Sequence, residues 1–339
     1  MGAKPTGPLS LTMGEPAGIG GELALMAWQR RSERELPPFF LFDDPGRLER
    51  LAGDLKLAVP VKHISEPKEA LSAFPHALPV MSLSQPVSAT PGQPDPHTAA
   101  AVLESIERAV IAVRQGQAAA LVTNPIHKAV LYEAGFGHAG HTDYLGALTG
   151  ARPTMMLLCP ELRVVPVTVH LALRQAVEQL STEAIVEAGK CTAQALENDF
   201  GVAKPRLAVA ALNPHAGESS TLGDEEVRII APAVAALGEA GIDAFGPIPA
   251  DTLFRAPQRR TYDAVLCMYH DQALIPLKTL AQDHGTNITL GLPIVRTSPD
   301  HGTALDLVGT GQASDASLCA ALSLAAEVAA RRAVAEENA

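Results

Sequence analysis

The sequence contains few aromatic residues. Phe, Trp and Tyr make up 4% of the 339 residues, with a single tryptophan, whereas the hydrophobic content is 47%. A core must therefore be built from aliphatic side chains and alanine, a composition typical of helices packed on a largely parallel sheet. The chain is long enough for two domains of ordinary size or for one large domain. These features indicate a globular α/β protein.

Cysteine pairs and long apolar runs are absent as well. The four cysteines are widely spaced and form no C-x-x-C pair, which argues against a disulfide framework or a zinc ribbon: Cys159, Cys191, Cys267 and Cys319. No apolar stretch approaches the ~20 residues needed to cross a bilayer, and no signal-peptide pattern is present. We therefore expect a cytoplasmic protein without a membrane partner.

Basic residues are also fewer than acidic residues, 26 Lys and Arg against 37 Asp and Glu. The net charge is −11 and the pI is near 5.5, and basic residues form only short pairs such as Arg30-Arg31. Nucleic acid is therefore an improbable partner. An anionic small substrate remains compatible with this charge, provided that a few cations are placed locally around it.

The usual nucleotide-binding motifs are missing too. Leu9–Met13 reads as a first strand, and the glycine-rich turn Gly14–Gly21 follows it at once. This turn is neither G-x-G-x-x-G nor a phosphate loop, because it lacks the G-K-[ST] sequence. By itself it indicates a tight loop that could approach a ligand closely.

The most informative pattern is a set of three apolar strands, each followed by a histidine. The strand at 163–169 leads into His170, the strand at 207–212 into His215, and the strand at 264–269 into His270. Helix-like segments separate the strands, so a parallel arrangement would bring their carboxyl ends to one edge of the sheet, where α/β proteins bind ligands.

Two interpretations of these histidines are open. In the first, each imidazole closes its strand through a hydrogen bond, which is the commoner role of any one such residue. Three neutral imidazoles at matching positions suit a divalent cation such as zinc with open positions for substrate. Because all three positions match, we favour the metal site.

Further polar segments lie outside these strands. The strand at 118–123 opens into the polar loop Asn124–Lys128, and a glycine-rich loop with two histidines follows at 135–143. That second loop is equally compatible with an anion site and with a mobile turn. Gly- and Pro-punctuated sequence follows the strand at 264–269 and contains Lys278, Asn287 and Arg296.

A series of short motifs in this sequence resembles the 4-hydroxythreonine-4-phosphate dehydrogenase family over nearly the whole chain. The motifs are Met13-Gly-Glu-Pro-Ala-Gly-Ile-Gly20, Gly140-His-Thr-Asp-Tyr-Leu145, Val167-Thr-Val-His170, Leu212-Asn-Pro-His-Ala-Gly-Glu218, Pro249-Ala-Asp-Thr-Leu-Phe254, Tyr269-His-Asp-Gln272, Asn287-Ile-Thr-Leu-Gly-Leu-Pro293 and Asp300-His-Gly-Thr-Ala-Leu-Asp306. Each motif is short, and their number, order and spacing make the match specific.

The resemblance implies roles for particular residues. It places a divalent metal (zinc, magnesium or cobalt) on His170, His215 and His270. It assigns substrate binding to His141, Thr142, Lys278, Asn287 and Arg296, and NAD or NADP binding to His301, Gly302, Thr303 and Ala304. Asp251 and Asp271 are candidate proton acceptors, and Asp271 could instead orient His270.

The resemblance also implies a fold and an assembly. It predicts a two-domain α/β/α protein similar to isocitrate and isopropylmalate dehydrogenases, not a Rossmann fold. Residues 1–130 with 300–339 would form the domain that contributes to cofactor binding. Residues 131–299 would form the domain with the metal and substrate site and the dimer interface. The protein is expected to be a homodimer with its site at the subunit interface.

The implied reaction is NAD(P)-dependent oxidation of 4-phosphohydroxy-L-threonine to 2-amino-3-oxo-4-phosphooxybutanoate, which loses its carboxylate to give 3-amino-2-oxopropyl phosphate in pyridoxine 5'-phosphate biosynthesis. Three alternatives stay open. The substrate could be 4-phospho-D-threonate or a related phosphorylated sugar acid. The site could belong to a three-histidine zinc hydrolase or lyase without nicotinamide, or to a binding protein that has lost turnover.

Overall fold

The structure is a computed structural model that describes residues 7–281 and 284–337. The strands among these residues are β1 (Leu9–Thr12), β2 (Phe39–Asp43), β3 (Val61–His63), β4 (Leu78–Ser82), β5 (Leu121–Val122), β6 (Thr154–Cys159), β7 (Leu162–Pro166), β8 (Arg206–Ala210), β9 (Asp243–Ile248), β10 (Ala264–Cys267), β11 (Thr286–Leu290) and β12 (Arg296–Pro299).

The α-helices of the described ranges alternate with these strands. They are α1 (Gly20–Gln29), α2 (Pro45–Asp54), α3 (Ala70–Ala73), α4 (Ala99–Arg114), α5 (Lys128–Glu133), α6 (His141–Thr149), α7 (Leu173–Gln179), α8 (Thr182–Asn198), α9 (Ala231–Glu239), α10 (Ala250–Leu253), α11 (His270–Ala281) and α12 (Ala316–Glu337). None of these helices is long and apolar enough to span a membrane.

The chain divides into two compact units, and the first contains residues 1–153 and 292–339. Its strands lie in the order β3-β4-β2-β1-β5-β12, and every pairing between them is parallel. The strands β1 and β2 are buried along their whole length. Such strands read as continuous apolar runs because helices cover both faces of a parallel sheet.

The second unit contains residues 154–291 and has a mixed sheet. Its strand order is β11-β6-β7-β10-β8-β9. The pairings β11 with β6 and β6 with β7 are antiparallel, whereas β7, β10, β8 and β9 are parallel neighbours. The strands β6 and β7 thus form a hairpin. The predicted parallel arrangement of the three strands that precede histidines is confirmed.

The boundaries of these units differ from the predicted ones at 130 and 300. Tyr144 and Leu145 of α6 belong to the same buried apolar cluster as Val102 and Ile106 of α4, so α6 is part of the first unit. β12 pairs in parallel with β5, which also places Arg296 in the first unit. Sequence patterns do not reveal this long-range packing.

A second difference concerns the segment after β10. The sequence around Lys278 contains several glycines and prolines, and no helix was predicted there, whereas the structure has the helix α11, which begins at His270 and contains Pro276. Proline within a helix removes one hydrogen bond and is usually read as a helix end. Asn287 and Arg296, from the same glycine- and proline-containing region, lie on β11 and β12.

The glycine-rich turn after β1 gives a prediction about stability. We expect Gly14→Ala to lower the free energy of unfolding by about 1–3 kcal/mol, because alanine is strained at positive φ and its methyl group would overlap neighbouring atoms. Gly14 has φ +69°, and a Cβ there would lie 2.7 Å from both Asn124 Cβ and the Pro125 carbonyl oxygen. Urea unfolding followed by Trp28 fluorescence measures the change, since this tryptophan is buried in the first unit.

The matched control is Gly53→Ala in α2, where a Cβ would have no neighbour within 4 Å. This variant should leave the unfolding midpoint unchanged or raise the stability by up to ~1 kcal/mol, because alanine favours the helix. Equal midpoints for Gly14→Ala and Gly53→Ala would contradict the account of the turn.

Candidate active site

The carboxyl ends of three neighbouring parallel strands carry the predicted metal ligands. In the second unit β10 lies between β7 and β8, and the three strands end at Pro166, Cys267 and Ala210. His170, His270 and His215 follow a few residues later along the chain. The sequence therefore correctly predicted the strands and their common edge.

Hydrogen bonds tie these three strand ends together. The Thr168 hydroxyl donates to the Met268 carbonyl oxygen at 2.7 Å, and the Met268 N–H donates to Gln272 Oε1 at 2.7 Å. Gln272 Nε2 then donates to the Ala211 carbonyl oxygen at 2.6 Å. Buried bonds of this kind fix the directions in which the chain leaves the sheet, because an unmade buried hydrogen bond costs about 1–3 kcal/mol.

His170 and His270 are brought together at this edge. Their ring centroids are 5.8 Å apart, and both side chains line a pocket of about 230 Å³ with Thr168, Tyr269 and Asp271. His170 has φ +22°, which is uncommon for a residue other than glycine. Asp271 Oδ1 lies 2.7 Å from His270 Nδ1. A carboxylate in this position holds the imidazole with its other nitrogen directed away.

His215 lies on a separate loop with unusual backbone geometry. The φ angles of His215 and Ala216 are +50° and +53°. The buried Glu226 anchors the base of this loop, since its Oε1 accepts hydrogen bonds from the N–H groups of Leu212 and Asn213 at 2.9 and 2.7 Å. Glu226 begins the π-helical turn Glu226–Ile230, a type of turn that often occurs at functional sites.

The structure brings together two of the three predicted metal ligands. Within the described part of one chain, no three His, Cys, Asp or Glu side chains are grouped so that they could hold a metal ion. The imidazole pair has the donor chemistry that a zinc-like cation accepts. A complete site would need a further ligand beside His170 and His270.

The first unit contains a second group of predicted residues. His141 and Thr142 are the first two residues of α6, so the glycine-rich loop ends in a helix instead of continuing as a turn. Arg296 is 3% exposed, and Thr123 Oγ1 accepts hydrogen bonds from its Nε and Nη2 at 3.2 and 2.6 Å. Thr123 was not predicted to have a role, and the pairing of β5 with β12 that brings it to Arg296 spans 173 residues.

Electrostatics connect these residues. Burial lowers the pKa of His141 well below its ordinary value, and the positive charges of Arg296 and Lys128 lower it further. His141 is therefore neutral near pH 7, and its Nε2 is buried without a hydrogen-bond partner among the described residues. Burial also lowers the pKa of Arg296 to about 10, which leaves the guanidinium charged at neutral pH.

The glycine-rich turn and the segment 301–304 are in contact within the first unit. The Ile19 N–H donates to the Thr303 carbonyl oxygen at 3.1 Å, and a Cβ on Gly18 would lie 2.8 Å from the same oxygen. Arg47, which pairs with the buried Asp43, also donates to the Pro16 carbonyl oxygen at 3.2 Å. The turn thus packs closely on the segment that the resemblance assigns to the cofactor.

The remaining predicted residues lie in the second unit. Lys278 is exposed on α11, and Asp251 is exposed in the first turn of α10. Asn287 is half-buried on β11, and its Oδ1 is buried with no hydrogen-bond partner in the described ranges. Buried polar atoms are normally paired, so this oxygen is a candidate to accept a hydrogen bond from a ligand.

Comparison with known proteins adds four findings. The chain is 51% identical to 4-hydroxythreonine-4-phosphate dehydrogenase of Bradyrhizobium diazoefficiens, over 96% of this chain and 98% of the relative. The crystal structure of the enzyme of that name from Klebsiella pneumoniae superposes with a TM-score of 0.83 at 34% identity, over 96% and 100% of the two chains. These matches confirm the α/β fold class.

A third match has a different substrate in its name. Terephthalate 1,2-cis-dihydrodiol dehydrogenase from Burkholderia xenovorans superposes with a TM-score of 0.63 at 27% identity, over 95% of this chain and 98% of that one. Residues 35–325 match the family model described as pyridoxal phosphate biosynthetic protein PdxA. This chain therefore belongs to the PdxA family of pyridoxal phosphate biosynthetic proteins.

Proposed function

We propose that this chain catalyses the NAD(P)-dependent oxidation of 4-phosphohydroxy-L-threonine to 2-amino-3-oxo-4-phosphooxybutanoate, which decarboxylates to 3-amino-2-oxopropyl phosphate. The observation that supports this most directly is membership of the PdxA family over most of the chain. The geometry agrees with it, because two imidazoles lie side by side at a strand edge.

The proposed metal ligands are His170, His270 and His215, with His215 supplied by a second copy of the chain in a homodimer. The supporting observation is that the described residues of one chain pair the first two and leave the set incomplete. A divalent metal held there (zinc, magnesium or cobalt) would act as a Lewis acid toward the substrate alcohol. Asp271 would accept the hydrogen bond from His270 Nδ1–H and so present Nε2 as the ligand atom.

The other predicted residues are proposed to bind the substrate, accept a proton or bind the cofactor. His141, Thr142, Lys278, Asn287 and Arg296 would bind the substrate, as the resemblance implies. The hydrogen bond of Asp271 to His270 favours the orienting role for Asp271, which leaves Asp251 as the proposed proton acceptor. His301–Ala304, packed on the glycine-rich turn, would bind NAD or NADP, the acceptor of the hydride.

The proposed reaction has a direct test. Chelator-treated protein supplied with NAD or NADP and 4-phosphohydroxy-L-threonine should form NADH or NADPH only after zinc, magnesium or cobalt is added, because the histidine site requires a metal. Absorbance at the nicotinamide band measures the rate. His215→Ala should abolish activity, while the exposed residue His76 offers the control variant His76→Ala, which should retain it.

A parallel reaction with 4-phospho-D-threonate tests whether the protein prefers this alternative substrate. If this compound is oxidised and 4-phosphohydroxy-L-threonine is not, the substrate is a phosphorylated sugar acid and the chemistry of the reaction is unchanged. If neither compound is oxidised by folded, metal-loaded protein, the dehydrogenase proposal is wrong.

Subunit mixing tests the proposed sharing of ligands. His215→Ala and His270→Ala subunits, each inactive alone, should together give a mixed dimer with about half of the wild-type activity, because one of its two sites is intact. Activity is measured after mixing differently tagged subunits and purifying the doubly tagged dimer. In the control, His170→Ala mixed with His270→Ala should recover nothing, because both ligands come from the same copy in each site. Recovery in the control, or none in the first mixture, would contradict the arrangement.

The contact between Thr123 and Arg296 generates a further prediction. Thr123→Val keeps the shape of the side chain and removes the acceptor for two guanidinium hydrogen bonds. We expect KM for the substrate to rise about 10-fold with a smaller change in kcat, because Arg296 would bind substrate from a less fixed position. Thr123→Ser keeps the hydroxyl and should restore KM. A normal KM in Thr123→Val would show that Arg296 does not need this contact.

A further inference from the structure

The loop that contains His215 has a backbone conformation that is rare in proteins. The consecutive residues 215–220 all have positive φ angles, between +42° and +78°, and Gly217 is the one glycine among them. Residues other than glycine visit this left-handed region as single residues, because Cβ then comes close to the following carbonyl oxygen. A run of this length costs free energy and persists where the surrounding contacts outweigh that cost. We call residues 215–220 the left-handed turn.

Several backbone hydrogen bonds of the left-handed turn are long. The Ala216 N–H donates to the Asn213 carbonyl oxygen at 3.2 Å, and the Glu218 N–H donates to the His215 carbonyl oxygen at 3.3 Å. The Thr221 N–H donates to the Glu218 carbonyl oxygen at 3.2 Å. Backbone N–H···O bonds are usually about 2.9–3.0 Å long, so these bonds give the turn little support. Contacts with side chains outside the turn are therefore needed to hold it.

The side chain of Glu226 provides such contacts and is itself buried. Its Oε1 accepts hydrogen bonds from the N–H groups of Leu212 and Asn213, which precede the turn, and its Oε2 accepts from Asn213 Nδ2 at 3.0 Å. Asn213 Nδ2 also donates to Glu225 Oε2 at 2.7 Å. Hydrogen bonds to a carboxylate are roughly twice as strong as bonds between neutral groups. Glu226 thus fixes the chain just before the left-handed turn.

The left-handed turn also packs on the Glu226 carboxylate. A Cβ on Gly217 would lie 2.8 Å from Glu226 Oε2 and 2.8 Å from the Gly223 carbonyl oxygen. A Cβ on Gly223 would overlap the side-chain amide of Asn213. The carboxylate therefore lies against both the start of the loop and the middle of the turn. A change at Glu226 consequently reaches the backbone of His215.

We propose that Glu226 is a positioning residue that acts through His215. Its carboxylate holds the left-handed turn, and the turn fixes the direction in which the His215 imidazole leaves the chain. The inference rests on the proposed function for the role of His215 as a metal ligand, whereas the contacts of Glu226 are those of the structure. A loose turn would spread the imidazole over many positions, and ordering it would then weaken metal binding. Glu226 thus raises metal affinity without touching the metal.

Metal binding to variants of Glu226 tests the inference. Co²⁺ is titrated into the chelator-treated full chain by isothermal titration calorimetry. Glu226→Ala should weaken binding about 10- to 100-fold, the range found when residues that orient metal ligands are removed. Glu226→Gln should lose less, because its amide oxygen still accepts from the two backbone N–H groups. Glu239→Ala removes an exposed carboxylate at the end of α9 in the same unit and should match the wild type.

Hydrogen exchange of the metal-free protein tests the structural step separately. Mass spectrometry of peptides covering 211–222 should show faster exchange in Glu226→Ala than in the wild type or in Glu239→Ala, because the turn opens more often. Faster exchange with wild-type Co²⁺ affinity would mean that Glu226 only stabilises the loop, and the positioning role would be wrong. Unchanged exchange would equally contradict it. Circular dichroism shows whether each variant is folded, and Glu226→Gln provides the same comparison if Glu226→Ala is not.

A double-mutant cycle shows whether the effect passes through His215. Once His215→Ala has removed the imidazole, adding Glu226→Ala should not weaken Co²⁺ binding further, because no ligand is left to position. Additive losses in the double variant would show that Glu226 affects the metal by another route and would overturn the inference.

The outcomes distinguish this inference from the proposed function. Weaker Co²⁺ binding in Glu226→Ala that disappears in the His215→Ala background would support the inference even in a protein that oxidises neither substrate, and only the reaction would be refuted. An active enzyme in which both Glu226 variants keep wild-type Co²⁺ affinity would overturn the inference and leave the reaction intact. Wild-type Co²⁺ affinity in His215→Ala would show that His215 is not a ligand, and this inference would be wrong together with that assignment.

Discussion

The second unit depends on the hydrogen bonds that hold three parallel strands together at their carboxyl ends. Gln272 is the central residue, because its side-chain amide accepts from the Met268 N–H after β10 and donates to the Ala211 carbonyl oxygen after β8. Thr168 extends the connection to the end of β7. With the strand ends fixed in this way, His170 and His270 leave the sheet beside each other, 5.8 Å apart between ring centroids.

The first unit differs in that it buries a positive charge, the Arg296 guanidinium. Burial lowers the pKa of Arg296 only to about 10, so its guanidinium stays charged at neutral pH. Burial lowers the pKa of His141 well below its ordinary value, and the charges of Arg296 and Lys128 lower it further, so the imidazole is neutral. The first unit thus contains a charged, buried guanidinium and a neutral imidazole.

The sequence predicted the features that local patterns encode. Short apolar runs identified β7, β8 and β10 because buried strands need such runs. Two kinds of feature were not predicted from the sequence. The helix α11 contains Pro276, which normally indicates a helix end. The contact of Thr123 with Arg296 depends on strand pairing across 173 residues, which no local pattern reveals.

Supplying the proposed metal ligands from two subunits would have a thermodynamic consequence. A single chain pairs His170 with His270, while Glu226 anchors the loop of His215 without bringing it into a group of three within the described residues. If a second copy supplies His215, the free energy of metal binding is available only to the dimer and therefore stabilises the dimer. Metal would then bind weakly to separated subunits. Under this arrangement the enzyme would become active only as it assembles.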